Sequence, residues 1–226
     1  MLDPLTTFTR WARFWVVHAA LLLVMPMALA QSLSAKDTPD AFIGKLSTHL
    51  LELVKSDPAL RSGDIARINA LVNDKVMPHV NFERMTASAV GPAWRQASPD
   101  QRKQLIEEFK GLLIRSYSGA LSQVKDQRLV VKKSRFSAED TEVVVRTEVV
   151  GGGEPIPIEY RLEKAADHVA GWRIFNLNVM GVWLVETYRS QFGPIINAKG
   201  VDGLIKTLAA RNKELTAKPL KSPINK

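Results

Sequence analysis

The hydrophobic period of this chain changes near residue 128 from helical to alternating, and changes back near residue 182. Apolar residues recurring every three to four positions make a helical stripe, whereas strict alternation makes a half-buried strand. A chain written in that order is restricted to helices packed on a sheet of consecutive strands. The first helix begins at Asp37-Thr38-Pro39, with Pro at an early position, and carries Phe42, Leu46, Leu50 and Leu53 to about Lys55. After Ser56-Asp57-Pro58 a second helix runs from about Gly63, with Ile65, Ile68, Leu71 and Val72 inward, until Pro78 stops it near Met77. A short helix covers 82–89 and ends at Gly91-Pro92. Ser98-Pro99-Asp100-Gln101 is a capping box with Pro at the first helical turn. The helix it starts continues to about Lys125 on one stripe: Leu105, Phe109, Leu112, Leu113, Tyr117, Leu121 and Val124.

Four strands are expected next, over 129–136, 141–150, 156–163 and 172–179. Gly151-Gly152-Gly153 supplies a turn between the second and third. Helix returns over 182–192 and again over 202–214, and no internal repeat is present. The expected fold is therefore α+β, an antiparallel four-stranded curved sheet packed with surrounding helices and enclosing an apolar cavity.

Residues 1–30 read as a secretory signal. Arg10 and Arg13 form the basic n-region, 14–24 is largely apolar, and Ala28-Leu29-Ala30 is a small-x-small site with cleavage expected after Ala30. The apolar run is short for a membrane span. The division is then signal peptide 1–30, one domain 31–215 and a polar, disordered tail 216–226, with the mature protein in the periplasm. The chain has no cysteine, which excludes disulfides, zinc-thiolate sites, iron–sulfur clusters and thiol nucleophiles. Its four histidines, His18, His49, His79 and His168, show no metal-ligand spacing. The formal charge is +8, but much of it lies beyond residue 199. That is a basic tail, solvated or drawn to anionic headgroups or an acidic partner, and not the stacked basic groove of a nucleic-acid binder.

No phosphate loop or nucleophile elbow appears. Glu159 and Glu163 occupy exposed-looking strand positions, and the presumed inward faces (Val143, Val145, Ile158, Tyr160, Leu162, Ile174) bear no carboxylate and no histidine. Such an interior favours binding over catalysis. The candidate lining is Val76, Val80, Phe82, Met85, Val90, Phe109, Leu112, Leu113, Tyr117, Val143, Val145, Ile158, Tyr160, Ile174, Val179, Val182, Leu184, Tyr188 and Phe192. Taken singly each suits an ordinary core; taken together, stripes facing a shared gap suit acyl chains. Two alternatives stay open. One is a cone-shaped enzyme for a small hydrophobic substrate, which would need Asp140, Asp167 or His79 beside a cavity. The other is a periplasmic chaperone or interaction module using the same apolar surfaces.

Several stretches resemble one family. Val80-Asn81-Phe82 with 90–102 (VGPAWRQASPDQR) resembles its central helix entry, 155–162 (PIPIEYRL) its third strand, 172–192 its last strand and following helix, and 200–205 (GVDGLI) the start of its C-terminal helix. In order and spacing over about 37–215 they are similar to the MlaC family of periplasmic phospholipid-binding, toluene-tolerance proteins. Trp183 stands where the family usually has Ser, and at a cavity mouth it would alter tail volume or headgroup access. The resemblance implies a non-enzymatic shuttle with phospholipid as cargo and no cofactor. Its implied partners are an outer-membrane lipoprotein–porin complex and an inner-membrane ABC transporter complex with a lipid-binding periplasmic subunit. Its implied role is maintenance of outer-membrane lipid asymmetry, with tails inside and headgroup outside. Lys132, Lys133 and Arg135 are either phosphate contacts or solvated strand charges.

Overall fold

A computed structural model describes residues 37–217 apart from Gly152. The expected signal, its cleavage point and the tail beyond Ala217 lie outside the described residues. Six helices and five strands follow the order α1 Pro39–Ser56, α2 Pro58–Arg61, α3 Ile65–Leu71, α4 Phe82–Val90, α5 Pro99–Tyr117, β1 Arg128–Val131, β2 Glu142–Val150, β3 Ile156–Lys164, β4 Trp172–Val179, β5 Val182–Trp183 and α6 Leu184–Ala217.

Local chemistry starts the helices where the sequence places them. Thr38 caps α1 by accepting the Ala41 N–H, with Pro39 in the first turn. At α5 both halves of the capping box are made: Ser98 Oγ accepts from Gln101 N, and Gln101 Oε1 accepts from Ser98 N. The second helix is shorter than its apolar pattern suggests. After Leu71 the backbone widens into a π turn over Val72–Val76 and tightens into a 3₁₀ turn over Met77–His79, a transition that accommodates Pro78. The α5 stripe likewise continues past Tyr117 as a 3₁₀ segment, Ser118–Gln123.

The sheet is antiparallel in the order β1-β2-β3-β4-β5. It has five strands, not four. Met180 and Gly181 both have positive φ (53° and 86°), the geometry of a two-residue hairpin whose twist matches its strands. Val182 and Trp183 therefore turn back to pair with Val179 and Asn178, and the helix begins at Leu184 instead of Val182. β1 ends at Val131 instead of near Phe136, because the Ser134 N–H leaves the sheet to donate to Asp40 Oδ2 on α1 at 2.9 Å. The last two helices run on from one another across a kink at Gly200 (φ 67°), and the second continues to Ala217, two residues past the expected domain limit.

The register puts Val143, Val145, Thr147 and Val149 opposite Leu162, Tyr160, Ile158 and Ile156. Between β3 and β4 the register shifts at Arg161/Leu162, so that Leu162, Tyr160 and Ile158 face Ile174, Leu177 and Val179. Phe175 is the extra residue of this bulge. Without it Ile174 and Val179, five positions apart, could not share a face. These residues form the apolar face. The opposite face carries Arg146 bound to Glu159 at 2.7 Å, Lys132 to Glu148 at 2.7 Å and Arg161 to Glu186 at 2.5 Å. There Arg84 also joins Glu142 and Glu163.

Candidate functional site

Burial falls along the apolar side of the central strand, while Thr147, opposite Ile158 on β2, stays buried. At one end Val145 and Leu162 are fully buried, with Val143 and Ile174 beside them. In the middle of the central strand Tyr160 and then Ile158 are only half-buried, as are Val149, Leu177 and Val179. At the far end Val182 is 50% exposed and Met180 53%. Central-strand apolar positions in a filled domain are normally covered by the opposing layer. Here the cover is displaced to the flanks. α1 lies against β1 and β2, α4 and α6 lie against β4, and the principal packing partners of α5 are α6, α4 and α3, with no strand among them.

The core is accordingly divided. A helical cluster joins Phe82, Met85, Val90, Phe109, Leu112, Leu184, Tyr188 and Phe192, with Val80, Leu113, Tyr117 and Leu177 at its margin. A sheet cluster joins Phe42 and Ile43 of α1 to Val143, Val145, Leu162, Trp172 and Ile174, with Val80, Leu46 and Tyr160 at its margin. A third joins Val54, Leu60, Ile68 and Ile114, with Leu71 and Val72 beside them. Single domains usually build one contiguous core. These three are linked in a ring. Val80 touches the first two, α1 runs from the second to the third, and α5 runs from the third back to the first.

The sequence-derived lining is therefore split by the structure. Its aromatic members Phe82, Phe109, Tyr188 and Phe192 stack on one another with centroids 4.9–5.6 Å apart. Ile158, Val179 and Val76 are half-buried and belong to no cluster, while Leu113, Tyr117 and Tyr160 stand at cluster margins. Leu46, Leu50, Val149 and Leu177 are also half-buried, though outside the candidate lining. For Leu177 the signal was hidden, since plain alternation from Ile174 points Asn176 inward.

Thr147 and Tyr160 bring hydroxyls to this face. Tyr160 OH lies 3.3 Å from Ser47 Oγ of α1 and also bonds Thr147, and burial raises its pKa. The Tyr117 hydroxyl bonds Tyr188, whose pKa burial pushes up to about 12. Both tyrosines stay neutral hydrogen-bond partners. The acidic groups required by an enzyme reading are engaged elsewhere. Asp140 Oδ2 accepts the Ser137 N–H at 2.7 Å, and Asp167 pairs with Arg173 at 3.0 Å. Lys132 is tied to Glu148, while Lys133 and Arg135 are exposed where the chain leaves β1, toward the buried end of the face. Two surface cavities lie outside the half-buried stretch, the second at the buried end beside Trp172. One of about 340 Å³ is bounded by Leu53, Asp57, Arg67 and Asp74, and another of about 590 Å³ by Pro39, Phe136, Lys164 and Trp172. Neither is lined by the candidate residues.

The family model for the MlaC protein matches residues 44–210. The chain belongs to the MlaC family. The match spans the whole sheet, α4, α5 and most of α1 and α6. Among curated MlaC-type relatives, the intermembrane phospholipid transport system binding protein MlaC of Haemophilus influenzae is 20% identical over 173 residues, covering 76% of this chain and 80% of that one. The toluene tolerance protein ttg2D of Pseudomonas putida is 27% identical over 184 residues, covering 80% and 83%. The solved structure of a phospholipid-binding protein from Ralstonia solanacearum, in complex with a phospholipid, superposes with a TM-score of 0.74 at 40% identity, covering 78% of this chain and 98% of that one. Within this MlaC-type fold Trp183 does not reach the apolar face. It pairs with Asn178 on the opposite side of the sheet, and Arg161 lies over its ring at 3.9 Å.

Proposed function

We propose that this protein binds phospholipid and carries it through the periplasm, holding the acyl chains between the apolar face of the sheet and the ring of helices. The observation that carries this reading is the half-buried centre of that face: Ile158 and Tyr160 on β3, with Leu177 and Val179 beside them. Family membership and the phospholipid bound by the Ralstonia relative support it. The headgroup stays at the exposed end near Val182, where the floor meets water. The same reading takes residues 1–30 as an export signal and the outer- and inner-membrane transport complexes as partners. It assigns no catalytic step and no cofactor.

Energetics require enclosure. Burying a methylene is worth about 0.8 kcal/mol, so a tail of roughly 15 methylenes costs about 12 kcal/mol to expose, and two tails about 24. A carrier must offset most of that cost yet still release, so its interior should match bilayer hydrocarbon without greatly exceeding it. An interior of aliphatic side chains with a few mutually satisfied hydroxyls suits this, since it offers tails no specific polar contact.

Native mass spectrometry of the exported protein tests the reading directly. A phospholipid adduct is expected, and a chain that carries none and loads none from vesicles refutes it. Ile158→Glu, at a half-buried position on the central strand, should lose most bound lipid while Lys133→Ala, at an exposed position, keeps it. Equal lipid content in two folded variants would mark Ile158 as ordinary core.

A further inference from the structure

His79 and His168, 89 positions apart, meet ring to ring: His79 Nδ1 lies 2.9 Å from His168 Nε2. His168 is 7% exposed and His79 half-buried. Phe42 of α1 packs against both, with centroids at 5.7 and 5.5 Å. The Ala170 N–H donates to His168 Nδ1 at 3.2 Å, which fixes the tautomers. His168 carries its proton on Nε2 and donates it to His79 Nδ1, leaving the His79 proton on Nε2. A further proton has no compatible place. On His79 Nδ1 it sets two N–H groups against each other, and on His168 Nδ1 it opposes the Ala170 N–H. A metal ion between the rings is disfavoured for the same reason, since it would need a lone pair on each facing nitrogen and only one is present.

The surroundings do not offset a charge. Asp167, on the turn, and Arg173, on β4, are the charged groups that act on His168, and they bind one another at 3.0 Å. Just ahead of α1, Asp37 is paired with Lys45, and on α1 Asp40 accepts the Ser134 N–H through Oδ2, with Oδ1 buried and unbonded. At the end of β3, Glu163 is held by Arg84 and Asn81, and Lys164 by the Ala138 carbonyl. Burial holds both rings below the usual histidine range. What the pair joins matters. His168 sits in the β3–β4 turn, closed by Ala165 N to Gly171 O at 2.8 Å. His79 immediately precedes Val80, which bridges to Ile174 and touches both the helical and the sheet cluster.

We propose that the His79–His168 pair is an acid-sensitive clasp: protonation parts the rings, frees the segment at Val80 and Asn81 from β4, and so speeds release of bound phospholipid. The release step rests on the lipid-binding reading above; the opening step does not. The experiment uses the mature chain loaded with a fluorescent phosphatidylcholine, with neutral phosphatidylcholine vesicles as acceptor. Ring protonation is followed by long-range ¹H–¹⁵N NMR and amide protection by exchange, from about pH 7.5 to about pH 5. Protection at Ala170 and Asn81 should fall about tenfold beyond the intrinsic pH effect as the rings charge, matching the loss of about one hydrogen bond. Transfer should quicken about fivefold over the same interval. His79→Asn keeps an acceptor facing His168 but cannot take the proton, and should flatten both responses. Rings that charge without loss of protection, or a pH response unchanged in His79→Asn, overturn the clasp. Protection that falls while transfer stays constant overturns its link to release. A chain that loads no phospholipid refutes the lipid-binding reading instead, and the exchange arm then decides the clasp alone.

Discussion

Asn176 is 1% exposed, yet each polar atom of its side chain is used. Its Oδ1 accepts the N–H groups of Leu177 at 2.9 Å and Val185 at 3.1 Å, and its Nδ2 donates to Glu186 at 2.7 Å. One residue thereby fixes the bulged strand and satisfies an orphan donor in the first turn of α6. Asn176→Ala strands those donors and should cost about 1–3 kcal/mol by urea denaturation. Titration gives a second residue-scale test. The two histidines are held neutral in the folded chain and charge freely when it unfolds, so below about pH 6.5 the unfolded state binds more protons. Stability should be complete above that value and decline as pH falls through the lowered folded values. Tyr188 works at the other extreme. Its folded pKa of about 12 exceeds the ordinary 10, so the unfolded chain ionises first and stability should fall as pH rises between those values. Chemical denaturation of the wild type against Tyr188→Phe checks the alkaline limb, which the variant should flatten.

Among the elements, α5 was the most legible, because Ser98, Pro99 and Gln101 act within one turn and need no tertiary partner. Ser98→Ala should lower stability by about 1 kcal/mol in thermal melts. The β2–β3 pairing was equally readable, since alternation is a local property. β5 was not. Its hairpin is Met180-Gly181, without the Asn-Gly or Asp-Gly signature, and a two-residue strand has no period to detect. Gly181→Val puts a β-branched side chain at a left-handed position and should unpair Val182 from Val179, a loss of about 1–2 kcal/mol read by denaturation and by exchange at Val182. The β4 bulge and the histidine contact were hidden for another reason. Both depend on residues brought together by the fold, and neither leaves a mark in spacing. Nor can pattern alone tell a lining from a core. Phe109 and Ile158 read alike as apolar stripe residues, but Phe109 is fully buried among aromatic rings and Ile158 is half-buried at the centre of the sheet.

Among the described residues, three apolar clusters are linked in a ring beside a sheet whose other side is charged. α4, α5 and α6 hold themselves together through the Phe82–Phe109–Tyr188–Phe192 stack. The fold should therefore survive delipidation but lose stability. Ligand present at a hundred times its dissociation constant adds about 2.7 kcal/mol, so stripping with organic solvent followed by refolding should lower the melting temperature by several degrees, and reloading should restore it.

The two sides of the sheet also answer to different solvents. Arg146–Glu159, Lys132–Glu148 and Arg161–Glu186 all stand on the side away from Ile158 and Tyr160. Added electrolyte screens that outer lattice and leaves the oily side untouched. The protein should therefore hold its cargo equally well in dilute and in saline surroundings, even where its melting temperature drifts.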